Sequence, residues 1–218
     1  MELAECINSM GQTQESLPTA PSASYYDAMI RLTALLGNTG LLYATTRHNA
    51  AWMFGTAWQS HWDATPSWQH KFHGEWSRIG WRGCSMAVLK PMTLMNLSGQ
   101  SVAEALHFFN IEPEELLVVH DDVELDFATV RLQAGGGLAG HNGLRSIKNS
   151  IGSDGFLRLR IGVGRPRHGD VASHVLGRFN NEEMIAWPLV AASAIDVLGQ
   201  FIDHGCRTQS LPIEHSLP

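Results

Sequence analysis

The sequence contains few cysteines, and the ones it has lie far apart. Cys6, Cys84 and Cys206 include no closely spaced pair. This distribution gives neither a disulfide framework nor a zinc-binding pattern. Sparse, scattered thiols are typical of proteins that stay in a reducing compartment, so we expect a cytoplasmic location.

Long apolar runs are also missing. No uninterrupted stretch approaches the roughly 18 residues that span a bilayer, so we expect no membrane-crossing segment. Residues 1–28 lack the basic and apolar regions of a secretory signal and contain acids but no Arg, which also argues against an organellar presequence. Their Ser, Thr, Pro, Gln and Ala content predicts a flexible extension, with Met29 as a second candidate start.

The sequence contains fewer basic than acidic residues, and its net charge is −6 at pH 7. The basic residues are nevertheless concentrated. Residues 131–168 carry seven of the fifteen Lys and Arg side chains and only one acid, Asp154. Two interpretations stay open at this point: a solvated basic face, or a surface that docks a phosphate-bearing partner despite the global charge.

Strand-like and helix-like patterns alternate along residues 29–204. Residues 116–120 form a continuous apolar run that ends in acids, which predicts a central strand covered on both faces. Helices are predicted over about 46–62, 98–110, 142–151 and 182–201. The alternation predicts a layered α/β domain that binds ligands at its strand ends. Residues 63–82 receive no predicted element, and 205–218 are predicted to be a loose tail.

A glycine-rich loop, GGGLAG, covers residues 135–140. It fits the G-x-G-x-x-G pattern of dinucleotide sites, with Asp154 about twenty residues later. That acid precedes the next strand instead of ending it, so the nucleotide interpretation is the weaker one. We favour a backbone that passes close to a large ligand or another loop. His141 and Asn142 follow it, at a predicted helix N-terminus.

Several other polar residues lie at predicted turns and strand ends. His48 lies in the first turn of a predicted helix, where a histidine is usually a cap or a surface residue. Asp121 follows the apolar strand, where a carboxylate can orient an imidazole but also simply ends strands. Asn38 and Asn96 lie on turns, and each alone is more typical of a structural role.

Metal binding is not supported by the eleven histidines. His70 and His73 are three residues apart, but their surroundings are polar and irregular. The sequence contains no H-E-x-x-H motif and no cysteine pair. We therefore expect neither a metal ion nor another cofactor.

Five segments taken together resemble, in order and spacing, the motifs of the bacterial-type peptidyl-tRNA hydrolase family. They are LGNTGLLYATTRHNA, KPMTLMNLSGQSV, LLVVHDDVEL, GGGLAGHNGLRSI and FLRLRIGVGRP. The resemblance covers roughly residues 29–180. It implies a single three-layer domain over 29–204, with a twisted mixed β-sheet flanked by helices.

The resemblance also implies an activity, namely cleavage of the ester that joins a peptide to the 3′ ribose of tRNA. His48 matches the catalytic histidine and Asp121 the carboxylate that orients it. A neutral imidazole can take a proton from water near neutral pH, and a carboxylate on its other nitrogen fixes the tautomer. Asn38 matches a further catalytic position of the family. The positions that match its substrate-binding residues are Tyr43, Asn96, His141 and Asn142.

The implied partner is peptidyl-tRNA, held partly by Arg131 and Arg160, which match basic positions associated with tRNA contact. Phosphate contacts supply affinity without reading sequence. Thr39 replaces a usual Pro, and Gln133 stands where a phosphate-contacting Lys is frequent, which weakens the expected phosphate clamp. A rival interpretation is a non-catalytic RNA-binding protein on the same fold. We expect a monomer.

Overall fold

A computed structural model describes residues 29–166 and 168–217. The predicted extension over 1–28 lies outside the described residues. The strands are β1 (Leu32–Leu35), β2 (Gln69–Lys71), β3 (Gly74–Trp81), β4 (Cys84–Pro91), β5 (Leu116–Asp122), β6 (Thr129–Ala134), β7 (Leu157–Gly162) and β8 (Ile213–Ser216). The α-helices are α1 (Ala50–Trp58), α2 (Ser98–Phe109), α3 (Asn142–Ile151), α4 (Val171–Leu176) and α5 (Asn181–Asp203).

The strands form one mixed sheet in the order β2-β3-β4-β1-β5-β7-β6-β8. Strands β4, β1, β5 and β7 are parallel, whereas β2, β3, β6 and β8 are joined to their neighbours by antiparallel pairing. The carboxyl ends of β1, β4, β5 and β7 therefore meet at one edge. β4 and β5 flank β1 on opposite sides, so the strand order reverses at β1. Open α/β sheets bind ligands at the carboxyl ends of the strands beside such a reversal.

Two hydrophobic layers hold the helices against the sheet. Leu117 and Val119 of β5 face a cluster shared with α1 and α5, whereas Leu116 and Val118 face a cluster shared with α2 and α3. A strand buried on both faces reads as a continuous apolar run, as β5 does. The predicted three-layer α/β architecture is confirmed.

The periodic helix predictions agree closely with the structure. In α2, the residues Val102, Ala105, Leu106 and Phe109 are buried on one face. The helix ends where Asn110 takes a left-handed conformation with φ 51°. Helix α3 has the predicted bounds.

Helix α5 differs from the expectation that no segment is apolar enough to span a membrane. By length and composition its 23 residues pass that test, but 61% of its most apolar window is buried inside the protein. Its apolar residues pack against α1 and β6, and Asn180 and Glu183 form a capping box at its start. We read it as the core helix of this domain.

Three segments were not predicted. Residues 63–82 contain β2, which is exposed, and β3, in which Trp76 is buried on one face and Ile79 and Trp81 on the other, so no single apolar alternation marks the segment. Helix α4 is too short to show a period. The expected loose tail instead contains β8, which pairs with β6 at the sheet edge. An edge strand buried on one side only gives little sequence signal, because half of its residues contact solvent.

Candidate active site

His48 and Asp121 meet at the carboxyl edge of the sheet. His48 lies in a short 3-10 helix, Arg47–Asn49, directly before α1, and Asp121 lies near the end of β5. The His48 Nδ1 lies 2.9 Å and 3.0 Å from the two carboxylate oxygens. Donation of the Nδ1–H to the carboxylate leaves the His48 Nε2 with a free lone pair. The arrangement is that of a general base with its orienting acid.

A second imidazole contacts the same carboxylate. The His141 Nε2 lies 3.1 Å from Asp121 Oδ1, while its Nδ1 accepts the backbone N–H groups of Gly143 and Leu144. His141 is thus the N-cap of α3. Since Nδ1 accepts, Nε2 must carry the proton and donate it to Asp121. This geometry fixes the tautomer of His141 and uses both of its nitrogens on protein groups.

The electrostatics favour the ionised form of the Asp121 carboxylate. Burial raises the pKa of Asp121, but the charges and hydrogen bonds of His48 and His141 outweigh burial and hold that pKa well below its usual range. Burial lowers the pKa of His48, whereas the Asp121 charge and hydrogen bond raise it, and the net effect is a raised pKa. The imidazolium that forms when His48 accepts a proton is therefore stabilised.

A third histidine, His120, packs edge-on against His141 with ring centroids 5.0 Å apart. Its Nδ1 lies 2.7 Å from the Asp121 carbonyl oxygen, and its buried Nε2 has no hydrogen-bond partner among the described residues. Burial, followed by the nearby His141, lowers the pKa of His120 to about 3. His120 is therefore neutral at neutral pH.

Asn38 joins two loops of the site. Its Oδ1 accepts the backbone N–H of Met95 at 3.0 Å, which ties the turn after β1 to the segment that carries Asn96. Asn49 holds Asn38 from the other side: its Oδ1 accepts the Asn38 N–H at 2.8 Å, and its Nδ2 donates to the Asn38 carbonyl at 2.9 Å. Because its Oδ1 is occupied, Asn38 has its Nδ2 group left for a ligand.

A cavity of about 220 Å³ opens at the His48–Asp121 pair. It is lined by His48, Asp121, Asp122, Val123, Ala139, Gly140, His141, Asn142, Val171, Ala172 and Val175. The last three belong to α4, which covers the pair with apolar side chains. Burial among apolar groups strengthens the electrostatic interactions inside the cavity.

The segment that follows α4 also fixes the segment that precedes His48. Thr46 and Arg178 form an isolated β-bridge, and the Arg47 side chain donates to Glu183 at 2.6 Å and to the Arg178 carbonyl at 2.9 Å. Arg47 also lies over the ring of Phe179. The start of α5 therefore positions the backbone that holds His48.

The remaining predicted substrate residues lie around this centre. Asn142 is exposed and lines the cavity. Asn96 is exposed on a 3-10 helix, and Tyr43 is half-buried on another. Tyr43 and Asn96 do not line the cavity, and neither does Asn38, which was predicted with the catalytic group.

The two predicted tRNA-contacting arginines are both paired. Arg131 forms a salt bridge with Glu214 of β8. The Arg160 Nε donates to Asp122 at 2.7 Å, and its Nη1 donates to Gln133 at 2.7 Å. Arg131 and Arg160 are direct neighbours across β6 and β7. Their charges are thus largely offset by the protein's own groups.

Donor atoms of His48, Asp121 and His141 lie within 4.8 Å of one another, a distance that would allow a metal ion. The hydrogen bonds explain this proximity, because both imidazoles donate to the carboxylate. To coordinate a metal through Nε2, His141 would have to move its proton to Nδ1 and lose both cap bonds. The donor set therefore fits a hydrogen-bonded pair better than a metal site, and the absence of a metal stays a prediction.

Sequence reasoning missed several residues of the site. No sequence pattern marks Asn49, although it is fully buried and holds Asn38. The cavity-lining residues of α4 were not predicted because no pattern marks so short a helix. Arg158 was counted only as part of a basic stretch, yet it is 1% exposed.

Comparison with known proteins supports one family. The sequence profile of the Peptidyl-tRNA hydrolase family matches residues 32–215. The peptidyl-tRNA hydrolase of Geotalea uraniireducens (strain Rf4) is 46% identical over 183 residues, which are 84% of this chain and 95% of that protein. The peptidyl-tRNA hydrolase of Geobacter metallireducens is 44% identical over 182 residues, covering 83% of this chain and 93% of that protein.

A solved structure agrees. The crystal structure of peptidyl-tRNA hydrolase from Acinetobacter baumannii superimposes with a TM-score of 0.75 at 35% sequence identity. The match covers 84% of this chain and 93% of that chain. Sequence and fold therefore point to the same group of proteins.

Proposed function

Because this chain belongs to the peptidyl-tRNA hydrolase family, we propose that it hydrolyses the ester between the peptide and the tRNA of peptidyl-tRNA. The observation that carries the proposal is the His48–Asp121 pair, whose free Nε2 lone pair is available to activate water. The rival interpretation, a non-catalytic RNA-binding protein, is not favoured, because the pair is intact and the relatives are named as hydrolases.

The chemistry proceeds by attack of water. His48 Nε2 takes a proton from water as the water oxygen bonds to the ester carbonyl carbon. Asp121 stays ionised and stabilises the imidazolium. When the tetrahedral intermediate collapses, the bond from carbon to the ribose 3′ oxygen breaks and the proton passes from His48 to that oxygen. The products are a peptide with a free carboxylate and a tRNA with a free 3′ hydroxyl.

Carboxamide groups suit a substrate whose peptide sequence varies. An amide side chain can donate to and accept from a peptide backbone without reading side chains. Asn142, on the cavity wall, is our candidate donor to the oxyanion, and loss of one such donor typically costs about 100- to 1000-fold in rate. Asn38, Asn96 and Tyr43 are proposed to hold the peptide portion.

His141 was predicted to contact substrate, but its hydrogen bonds support a different role. We assign it the task of fixing Asp121, because both of its ring nitrogens are used by protein groups. It also places Asn142 at the start of α3. His141 is thus proposed as a positioning residue.

The tRNA surface is proposed to lie across β6, β7 and α3. Arg145 on α3 is exposed and has no ion pair among the described residues. Arg131 is partly exposed, and the surface salt bridge to Glu214 is worth about 0–1 kcal/mol, so a phosphate can replace Glu214. Arg160 is more buried, and its bonds to Asp122 and Gln133 favour a supporting role. A monomeric state and a cytoplasmic location stay predictions.

The direct test measures release of free tRNA from a peptidyl-tRNA by the wild type and by His48→Ala. A positioned general base contributes about 100- to 10,000-fold, so we expect a loss of that size with unchanged binding of tRNA. His70→Ala removes an exposed histidine on β2 and is the matched control. Full activity in His48→Ala would remove His48 as the base, and an inactive wild type that still binds tRNA would favour the RNA-binding interpretation.

A further inference from the structure

Arg158 is a buried cation whose guanidinium bonds to backbone carbonyls, while the charges of Asp122 and Asp154 act on it from beyond salt-bridge distance. It lies on β7, is 1% exposed, and among the described residues no carboxylate forms a salt bridge with it. Its partners are two backbone carbonyls: Nη1 donates to Gly137 O at 2.8 Å and Nη2 donates to Gly135 O. Its buried Nε has no hydrogen-bond partner within residues 29–166 and 168–217. Burying a guanidinium costs several kcal/mol unless its surroundings compensate, so packing alone does not explain this side chain.

The topology shows why the glycine loop needs support at this place. β6 runs antiparallel to β7, so it ends beside Leu157, at the edge of the sheet opposite the site. Asp121 is aligned with Ile161, four residues further along β7. The loop over 135–140 must therefore run parallel to β7 for the length of four strand residues, about 13 Å at about 3.3 Å per residue, to bring His141 to Asp121.

The guanidinium lies beneath the first half of that loop. Gly135 O also accepts from Gln133 Nε2 at 3.0 Å, so two side chains hold the same carbonyl. A Cβ on Gly136 would come within 2.6 Å of the Arg158 Nη2 and 2.7 Å of the Gln133 Nε2, and the φ of Gly136 is +97°. The loop is thus in direct contact with its support, which a side chain at 136 would prevent.

We propose that Arg158 is a positioning residue for catalysis: its two-pronged donation to Gly135 and Gly137 sets the path of the loop that delivers His141 and Asn142 to the site. The proposal rests on the proposed function. Arg158 contacts neither the substrate nor the reacting atoms. Its effect passes through His141 to Asp121, and through Asn142 to the cavity wall.

The proposal separates activity from stability. Replacing a buried ion with an apolar side chain of similar volume is often neutral or stabilising, so Arg158→Met is expected to keep or raise the melting temperature. The loop loses its two donors, and a displacement of the order of 1 Å can cost about 100-fold in rate. We therefore expect kcat to fall by about 10- to 100-fold, with KM for peptidyl-tRNA nearly unchanged. A residue that contacts tRNA phosphates would raise KM and reduce its salt dependence instead.

Two further variants test the geometry. Arg158→Lys keeps the charge but lacks the planar fork that reaches two carbonyls, so it should lose most of the same activity. Gly136→Ala introduces a Cβ that collides with the Arg158 guanidinium, so it should push the loop away from Arg158 and lower kcat by a similar factor. The double variant with Arg158→Met should lose less activity than the two single losses combined. Gly83→Ala, at the exposed turn between β3 and β4, is the matched control for a methyl group added to a glycine with positive φ, because a Cβ there meets nothing within 4 Å. Arg82→Met, at an exposed salt bridge with Asp203, is the control for loss of an arginine.

The experiment measures kcat and KM for release of tRNA, together with hydrogen exchange of the amides of residues 136–141. Support consists of a fall in kcat and faster exchange in Arg158→Met and Arg158→Lys, with both controls near wild type. The proposal is overturned if Arg158→Lys keeps wild-type kcat and exchange, if KM alone changes, or if kcat falls only in proportion to the folded fraction. An inactive wild type would instead refute the proposed function. Hydrogen exchange of residues 136–141 would then still test whether Arg158 holds the loop.

Discussion

Asp121→Asn changes the group that accepts hydrogen bonds from the imidazoles of both His48 and His141. The carboxylate accepts from His48 at 2.9 Å and from His141 at 3.1 Å, whereas a carboxamide has one acceptor oxygen and one NH2 donor. His141 cannot exchange its tautomer without losing the N–H groups of Gly143 and Leu144. The new oxygen therefore takes the Oδ1 position, where it accepts from His141, and the NH2 takes the Oδ2 position, 3.0 Å from the His48 Nδ1. An NH2 donor at that distance opposes an Nδ1–H, which favours the His48 tautomer that carries its proton on Nε2.

The magnitude follows from that tautomer, which has no lone pair facing the cavity. General-base catalysis contributes about 100- to 10,000-fold, and the equivalent Asp→Asn change in a Ser-His-Asp triad costs about 10,000-fold. We expect kcat to fall by about 1000-fold or more, with little change in KM. Loss of the carboxylate charge also removes the cause that raises the pKa of His48. The acidic limb of the residual pH–rate profile should move to lower pH.

The assay is single-turnover release of tRNA from peptidyl-tRNA over a range from about pH 5 to pH 9, which brackets the ordinary histidine pKa. Asp203→Asn, at a surface salt bridge with Arg82, is the control. A fall of less than about tenfold would show that His48 keeps its productive tautomer without the carboxylate. An acidic limb that moves to higher pH would contradict the electrostatic argument.

Three further predictions concern stability and binding. His120→Leu should make folding less sensitive to acid, because the unfolded chain binds a proton at this histidine below about pH 6.5, whereas buried His120, with a pKa of about 3, does not. In urea titrations, the free energy of unfolding of the wild type should fall by about 2–3 kcal/mol more than that of the variant between pH 7 and about pH 4.5. Equal losses in the two proteins would contradict this prediction. Asn49→Ala should lower the free energy of unfolding by about 1–3 kcal/mol and reduce kcat, because both hydrogen bonds to the Asn38 backbone are lost; an unchanged melting temperature would argue against this. Glu214→Gln should free Arg131 and steepen the salt dependence of tRNA binding by about one unit of log–log slope, and an unchanged slope would place Arg131 outside the tRNA surface.

The parts of the fold that were predictable are those with strong local patterns. The apolar run of β5 and the spacing of Val102, Leu106 and Phe109 in α2 each reflect burial on a defined face, and burial leaves a period in the sequence. β2, α4 and β8 were not predicted, because two edge strands and a six-residue helix bury too few side chains to leave a period. β3 was not predicted, because its buried residues lie on both faces of the sheet. Their positions depend on contacts with distant segments.

The candidate site divides along the same line. His48 and Asp121 were predicted as a pair through the family motifs, and the structure places them within hydrogen-bond distance. The second bond of Asp121, to His141, could not be read from sequence, because nothing local shows that both nitrogens of a histidine are occupied. The charge of the basic stretch was counted correctly, but the sequence cannot show that Asp122 and Glu214 offset Arg160 and Arg131.

The bridge between Thr46 and Arg178 has a consequence for the order in which the protein matures. The residues that fix the His48 segment, including Arg178 and Glu183, follow it by more than a hundred positions. A chain still being synthesised can pair β1, β4 and β5 before those residues leave the ribosome, yet it lacks α4 and the start of α5. The His48 segment is therefore fully supported only after residue 183 has been synthesised, when the residues of β1 to β7 are already in the chain.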